Sequence, residues 1–301
     1  MVVTLQTKRI RGGQMEAISS KSYVHRYLFA AMLAGSQTQL KSNILSVDML
    51  ATIGCIRALK EEIPCFDCKE SGSTARFLLP VAAALKEEFT MVGCGNLPNR
   101  PFAPICNAMR ENGVEVSGDF LPIHVKGRLK SGTYRLPGNV SSQYITGLLF
   151  ALPILDGDSE VRLTTKLESK AYIDITLAVL HRFGIRIEER EQGDFIPGNQ
   201  SYRSPGVLQA EGDWSNAAFY LCMGALGDGI TMTGLDVKDW QGDKAVLDIL
   251  REFGAAVSTE GDSVTVQPGV LKGIRRDVSE IPDLVPVLCV VAGFAEGVTC
   301  F

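Results

Sequence analysis

Several short stretches gather hydroxyls, amides and cations where a helix would begin. In "EAISSKSYVHR" Lys21, Ser22, His25 and Arg26 share one window, and the chain then turns almost wholly apolar. "ESGSTARF" offers Gly72, Ser73 and Thr74, and "NVSSQYITG" offers Ser141, Ser142 and Gln143. "LESKAYIDIT" holds Ser169 and Tyr172, "GNLPNRPFAP" holds Arg100, and "SEIPDLVP" sets Asp283 beside Pro282. The first turn of a helix leaves backbone N–H groups without partners, and its positive end attracts anions. Hydroxyls and amides at such an end suit a phosphate or a carboxylate. Ser22 and Arg26 are four apart and share a face. Each stretch also admits a plainer use. Ser, Thr and Asp are ordinary caps, Arg76 reads as structural, and His25 reads as a packing or surface residue. Asp283 suits a helix start as a simple acid near the positive dipole end. These residues alone leave both uses open.

The elements that would carry them alternate between two kinds of helix. One kind has a polar head and an apolar body, as in "SSKSYVHRYLFAAMLAG", "SGSTARFLLPVAAAL", "VSSQYITGLLFALPIL", "GDWSNAAFYLCMGAL" and "IPDLVPVLCVVAGFA". The other is amphipathic, ends near Gly and runs into alternating residues, as in "FAPICNAMRENGVEVSG", "YIDITLAVLHRFGIRIEE" and "KAVLDILREFGAAVSTE". The Gly supplies a left-handed cap, and "VEV", "IRI" and "AVSTE" read as strands. Gly113, Gly184 and Gly254 are separated by 71 and 70 residues. Ser73, Ser142, Ser215 and Asp283 follow at 69, 73 and 68. Two landmark series with one period predict a repeated β-α-β-α-β-β unit. The first repeat, with about 50 residues between its heads, reads as shorter. Asp213 and Asp243 read as structural, at turns and caps.

Composition narrows the function class. The 301 residues are 46% hydrophobic with a net charge of -4, so no basic field invites nucleic acid. Eight scattered cysteines and three histidines form no zinc pattern, and reduced thiols in a cytoplasmic protein are expected. "LVPVLCVVAGFA" is too short to cross a bilayer, and "MVVTLQTKRI" lacks a signal-peptide layout.

Taken in order, "SSKSYVHR", "ESGSTARFLLP", "NRPFAPICNAMRENG", "SSQYITGLLFALP", "LESKAYIDIT", "EGDWSNAAFYL", "QGDKAVLDIL" and "IPDLVPVL" resemble the 5-enolpyruvylshikimate-3-phosphate synthase family over essentially the whole chain. The resemblance implies an α/β (α+β) fold of two domains, each built from β-α-β-α-β-β units. One domain would cover 19–208 with a shikimate-phosphate half-site. The other would combine 1–18 with 209–301 and be incomplete, since family chains run on. The implied reaction moves the enolpyruvyl group of phosphoenolpyruvate onto the 5-hydroxyl of shikimate 3-phosphate and needs no metal or cofactor. By resemblance, Lys21, Ser22, Arg26, Ser141, Ser142, Gln143, Ser169, Tyr172 and Asp283 bind shikimate 3-phosphate. Lys21, Gly72, Arg100 and Gln143 bind phosphoenolpyruvate. Lys21 is the candidate proton donor and Asp283 the base. A monomer in the cytoplasm, with no nucleic-acid or membrane partner, is the matching expectation. Two alternatives are a shikimate 3-phosphate binding fragment without turnover and a UDP-N-acetylglucosamine enolpyruvyl transferase. The second would make Cys94 catalytic, but Cys94 reads as incidental.

Overall fold

The computed structural model describes residues 11–35, 37–190 and 193–301. The stretch "MVVTLQTKRI", including the start of the expected 1–18 segment, lies outside the described residues. The chain divides into two compact units. Lys21–Ala210 is inserted into a host unit made of Met1–Ser20 and Glu211–Phe301. The expected break points of 19 and 208 each fall two residues earlier.

The host begins with β1 (Gly13–Glu16). The inserted unit follows with α1 (Lys21–Ala34), β2 (Gln39–Lys41), α2 (Val47–Lys60), β3 (Cys65–Asp67), α3 (Gly72–Leu85) and β4 (Glu88–Val92). Next come α4 (Ala103–Glu111), β5 (Glu115–Val116), β6 (Ile123–Lys126), β7 (Thr133–Leu136), α5 (Ser142–Ala151) and β8 (Ser159–Leu163). It closes with α6 (Lys170–Arg182), β9 (Glu188–Arg190), β10 (Gly193–Ile196) and β11 (Val207–Gln209). The host resumes with α7 (Trp214–Leu226), β12 (Ile230–Thr233), α8 (Val246–Phe253), β13 (Ala256–Glu260), β14 (Ser263–Gln267) and α9 (Val285–Ala292).

Three four-stranded sheets share one wiring, in the orders β3-β4-β6-β5, β7-β8-β10-β9 and β1-β12-β14-β13. In each, the first two strands are parallel and the rest antiparallel. A parallel pair needs a crossover, and the polar-headed helices α3 and α5 supply it in the inserted unit. In the host sheet the crossover from β1 to β12 contains the whole inserted unit as well as α7. One face of each sheet meets helices, as the alternation of Ile123 and Val125, buried, with His124 and Lys126, exposed, records.

The capping glycines behave as their positions require. Gly113, Gly184 and Gly254 have φ of +85°, +76° and +108°. The first repeat does own a second helix, α2, where the glycine landmark is missing. Glu62 takes the left-handed position after it, at φ +59°. A non-glycine residue there costs about 1–2 kcal/mol, and with Glu in place of glycine the series has no landmark at α2. The expected strand at "IRI" starts later, at Glu188.

Each unit has its own core. In the inserted unit Phe29, Phe77 and Phe150 come from α1, α3 and α5, one from each polar-headed helix. Their ring centroids lie 5.9, 6.2 and 6.1 Å apart. Truncating one such buried ring costs about 3–5 kcal/mol. This knot of rings fixes the three helices against one another. Among the described residues no helix is long and apolar enough to cross a membrane.

Candidate active site

The head of α1 is built around a buried cation. Arg26 is 3% exposed, because the apolar body of α1 draws it inward. Its Nε donates to Thr176 Oγ1 at 2.8 Å, Nη1 to the Ser22 carbonyl at 2.7 Å, and Nη2 to the Tyr172 carbonyl at 2.9 Å. The guanidinium lies 5.2 Å from the Phe77 ring centroid. Among the described residues no carboxylate pairs with it. Burial pushes its pKa down to about 10, so it stays charged at neutral pH. A buried cation held only by neutral groups is costly unless an anion arrives. Lys21 opens the helix and pairs with Asp48 at 3.2 Å, its side chain half exposed.

His25 is buried beside them. Burial, and then the Lys21 charge, pushes its imidazole down to about 3, so it is neutral at pH 7. Its Nδ1 lies 2.7 Å from Thr52 Oγ1, which lies 2.7 Å from Thr74 Oγ1. Thr74 Oγ1 in turn donates to Ser71 Oγ at 2.7 Å. This relay of hydroxyls ties the head of α1 to the head of α3. It makes His25 a packing residue, as its sequence context suggests.

A second corner forms where α3, α5 and the Arg100 turn meet. Ser71, rather than Ser73 or Thr74, caps α3, accepting from the Thr74 N–H at 3.2 Å. Ser73 Oγ is thereby left to accept from Gln143 Nε2 at 3.0 Å. Gln143 Oε1 accepts from Arg76 Nη1 at 2.7 Å. A β-carbon built on Gly72 would stand 2.8 Å from Arg76 Nη1 and 3.3 Å from Arg100 Nη1. Gly72, Arg100 and Gln143, named separately in the sequence, therefore share one corner. Ser141 caps α5 through the Gln143 N–H at 3.3 Å, and Ser142 starts the helix. Tyr144 fixes the turn by donating to the Pro101 carbonyl at 2.6 Å.

Ser169 precedes α6 in the left-handed region, at φ +56° and ψ +42°, and its side chain makes no cap bond. Tyr172 reaches Arg26 through its carbonyl. The same carbonyl accepts from Thr176 Oγ1 at 2.9 Å, and Thr176 meets Thr146 of α5 at 2.9 Å.

The host unit holds the carboxylates. Asp213 caps α7, accepting from the Asn216 N–H at 2.8 Å. Asp243 sits buried in the 3-10 turn Gly242–Ala245 and accepts from Ser215 Oγ at 2.5 Å. Burial raises its carboxyl to about 6; the Ser215 bond opposes this, and the charges of Asp283 and Asp213 add to it. Asp283 is exposed, in the 3-10 turn Pro282–Leu284 that leads into α9. Among the described residues no group of three or more His, Cys, Asp or Glu is arranged to hold a metal. All eight cysteines are free, and Cys94 is exposed.

A family model for EPSP synthase (3-phosphoshikimate 1-carboxyvinyltransferase) matches residues 64–301. The chain belongs to the EPSP synthase family. It is 40% identical over 309 aligned residues to the 3-phosphoshikimate 1-carboxyvinyltransferase of Clostridium kluyveri, covering 95% of this chain and 72% of that one. The enzyme of the same name from Clostridium novyi is 36% identical over 318 residues and is covered to 73%. EPSP synthase from Acinetobacter baumannii shares the fold with a TM-score of 0.82 at 22% identity, over 98% of this chain and 74% of that one. The enolpyruvyl transferase NikO from Streptomyces tendae matches with a TM-score of 0.73 at 18% identity, over 96% and 74%. Within this EPSP synthase family chain, sequence reasoning passed over Arg76. The signal was its spacing, since Arg76 follows Gly72 by four just as Arg26 follows Ser22.

Proposed function

We propose that this chain transfers the enolpyruvyl group of phosphoenolpyruvate to the 5-hydroxyl of shikimate 3-phosphate and releases phosphate. Family membership supports the reaction, and the two corners of the inserted unit support its substrates, both of them polyanions. Ser22, Arg26, Ser141, Ser142, Ser169 and Tyr172 bind shikimate 3-phosphate. Gly72 and Arg100 receive phosphoenolpyruvate, and Lys21 and Gln143 serve both substrates. In the addition step, Lys21 gives a proton to C3 of phosphoenolpyruvate. The 5-hydroxyl oxygen bonds to C2 and yields its proton to Asp283. The tetrahedral intermediate then loses a C3 proton as its C–O bond to phosphate breaks. Asp283 stands in the short turn that leads into a helix and accepts the proton as the new bond forms. The chain works as a monomer in the cytoplasm, without nucleic-acid or membrane partners.

The observation that carries this reading is Arg26, a buried guanidinium surrounded by neutral groups at a helix head. Its test is the denaturation midpoint with and without shikimate 3-phosphate. Saturation at about 100 times Kd adds about 2.7 kcal/mol, enough to raise the midpoint by several degrees. No shift at millimolar ligand would overturn the assignment, and a shift with UDP-N-acetylglucosamine instead would favour the sister transferase. A chain that binds shikimate 3-phosphate but releases no phosphate from added phosphoenolpyruvate is a binding module.

A further inference from the structure

Arg76 is a charged side chain that neither a cap nor an ion pair explains. It rises from α3 beside Gly72, and its guanidinium lies 5.6 Å from the Phe102 centroid and 5.4 Å from that of Tyr144. Its Nε is buried without an acceptor. Among the described residues neither Arg76 nor Arg100 pairs with a carboxylate, yet both put a nitrogen over Gly72. Two like charges gathered there call for an anion. The bond to Gln143 has a further consequence. Guanidinium only donates, so the atom it touches at 2.7 Å must be the amide oxygen. Gln143 Nε2 is then turned to Ser73 Oγ at 3.0 Å, with its second N–H available to a ligand.

We propose that Arg76 is a positioning residue for phosphoenolpyruvate. It locks the Gln143 amide with its donor end toward the anion, and its charge joins that of Arg100 over Gly72. Without it the amide is free to flip and present oxygen to a polyanion, which repels. The Phe102 and Tyr144 rings lie within cation–π reach of the guanidinium and favour its place there.

This inference rests on the proposed substrates, and the experiment separates the two. The full chain is titrated calorimetrically with shikimate 3-phosphate, then with phosphoenolpyruvate at saturating shikimate 3-phosphate. Wild type is compared with Arg76→Met, Arg76→Lys, Gln143→Ala and the Arg76→Met/Gln143→Ala double variant. Arg76→Met should weaken phosphoenolpyruvate about tenfold or more, as loss of a charged hydrogen bond does. Shikimate 3-phosphate should weaken clearly less than phosphoenolpyruvate, because Gln143 is one of several groups that hold it and its buried cation is Arg26. Arg76→Lys, which keeps the charge and fills the same space, should fall between wild type and Arg76→Met. The double variant should fall well short of the product of the two single losses, since Arg76 acts through Gln143. Equal losses for both ligands would make Arg76 a packing residue. Multiplicative losses, unchanged phosphoenolpyruvate affinity, or a wild type that takes up shikimate 3-phosphate but no phosphoenolpyruvate would each overturn the proposal and leave the shikimate 3-phosphate assignment standing. Failure of wild type to bind shikimate 3-phosphate would remove both.

Discussion

Gly72 is where one added atom has the most to say. Its φ is ordinary for a helix start, so alanine fits the backbone. The new β-carbon would meet only Arg76 Nη1, at 2.8 Å, and Arg100 Nη1, at 3.3 Å, both at the far ends of flexible side chains. Gly72→Ala should therefore fold with stability within about 1 kcal/mol of wild type. The displaced Arg76 guanidinium would leave Gln143, and phosphoenolpyruvate affinity should drop roughly tenfold while shikimate 3-phosphate affinity falls clearly less. Calorimetry on the variant checks both, and unchanged phosphoenolpyruvate affinity would sink the idea. Part of this corner was legible in the sequence. Gly72, Arg100 and Gln143 could each be named from their motifs. Arg76 reads there as structural despite its four-residue spacing from Gly72, and its bond to Gln143 stayed hidden because that partner lies 67 residues away and local pattern carries no such distance. The isolation of Arg26 from carboxylates was hidden for the same reason. Its partners Tyr172 and Thr176 are 146 and 150 residues along the chain.

Helices and their heads were the easiest elements to read, because a polar start and an apolar body leave a local signature. Misreadings arose where a residue took an unusual backbone state. Glu62 hid the end of α2 by standing where glycine was expected, and Ser169 is a second non-glycine residue in that region. Ser169 holds a left-handed conformation and does not use its hydroxyl as a cap. Serine pays about 1 kcal/mol for that conformation relative to glycine, partly offset by the entropy that glycine loses on folding. Ser169→Gly should thus leave the denaturation midpoint unchanged or slightly raised. If the hydroxyl serves the 3-phosphate, affinity for shikimate 3-phosphate should fall about tenfold. Paired melting and binding curves decide it. Full affinity with an unchanged midpoint would reduce Ser169 to a turn residue.

For the whole molecule, buried groups carry opposite responses to acid, and the two units balance them differently. His25 in the inserted unit titrates near 3 when folded and near 6.5 when unfolded. Between those values the unfolded chain binds a proton that the native unit refuses. His25 alone therefore costs the inserted unit about 1.4 kcal/mol per pH unit as pH falls below about 6.5, but Asp194 of the same unit, raised to about 6 by burial and then by the Glu189 charge, offsets this between about 6 and 4. Asp243 in the host titrates near 6 when folded, against 3.8 as its ordinary value. There the native unit binds the extra proton, so the host gains stability as pH falls from about 6 towards 4. Hydrogen exchange at pH 7 and pH 5, resolved by peptide, should show protection rising in 211–301 relative to 21–210, where His25 and Asp194 nearly cancel. His25→Gln should make 21–210 gain protection at pH 5 by leaving Asp194 unopposed, and Asp243→Asn should flatten the trend in 211–301. Parallel loss in both units, indifferent to the variants, would count against this picture.

The host strand β1 is paired with β12, Met15 opposite Met232, across the entire inserted unit. Where the chain leaves and rejoins the host, the Ser20 N–H bonds to the Glu211 carbonyl at 2.7 Å and the Asp213 N–H to the Ile18 carbonyl at 2.8 Å. On the ribosome, β1 emerges long before its partner exists. At about 5–20 residues per second, it waits roughly 10–40 s while the next two hundred or so residues are made. Throughout that interval it is an unpaired strand edge, whereas the inserted unit completes its last strand at Gln209, before β12 is made. Translation speed between codons 21 and 230 thus sets how long the host's first strand stays available to the wrong partner.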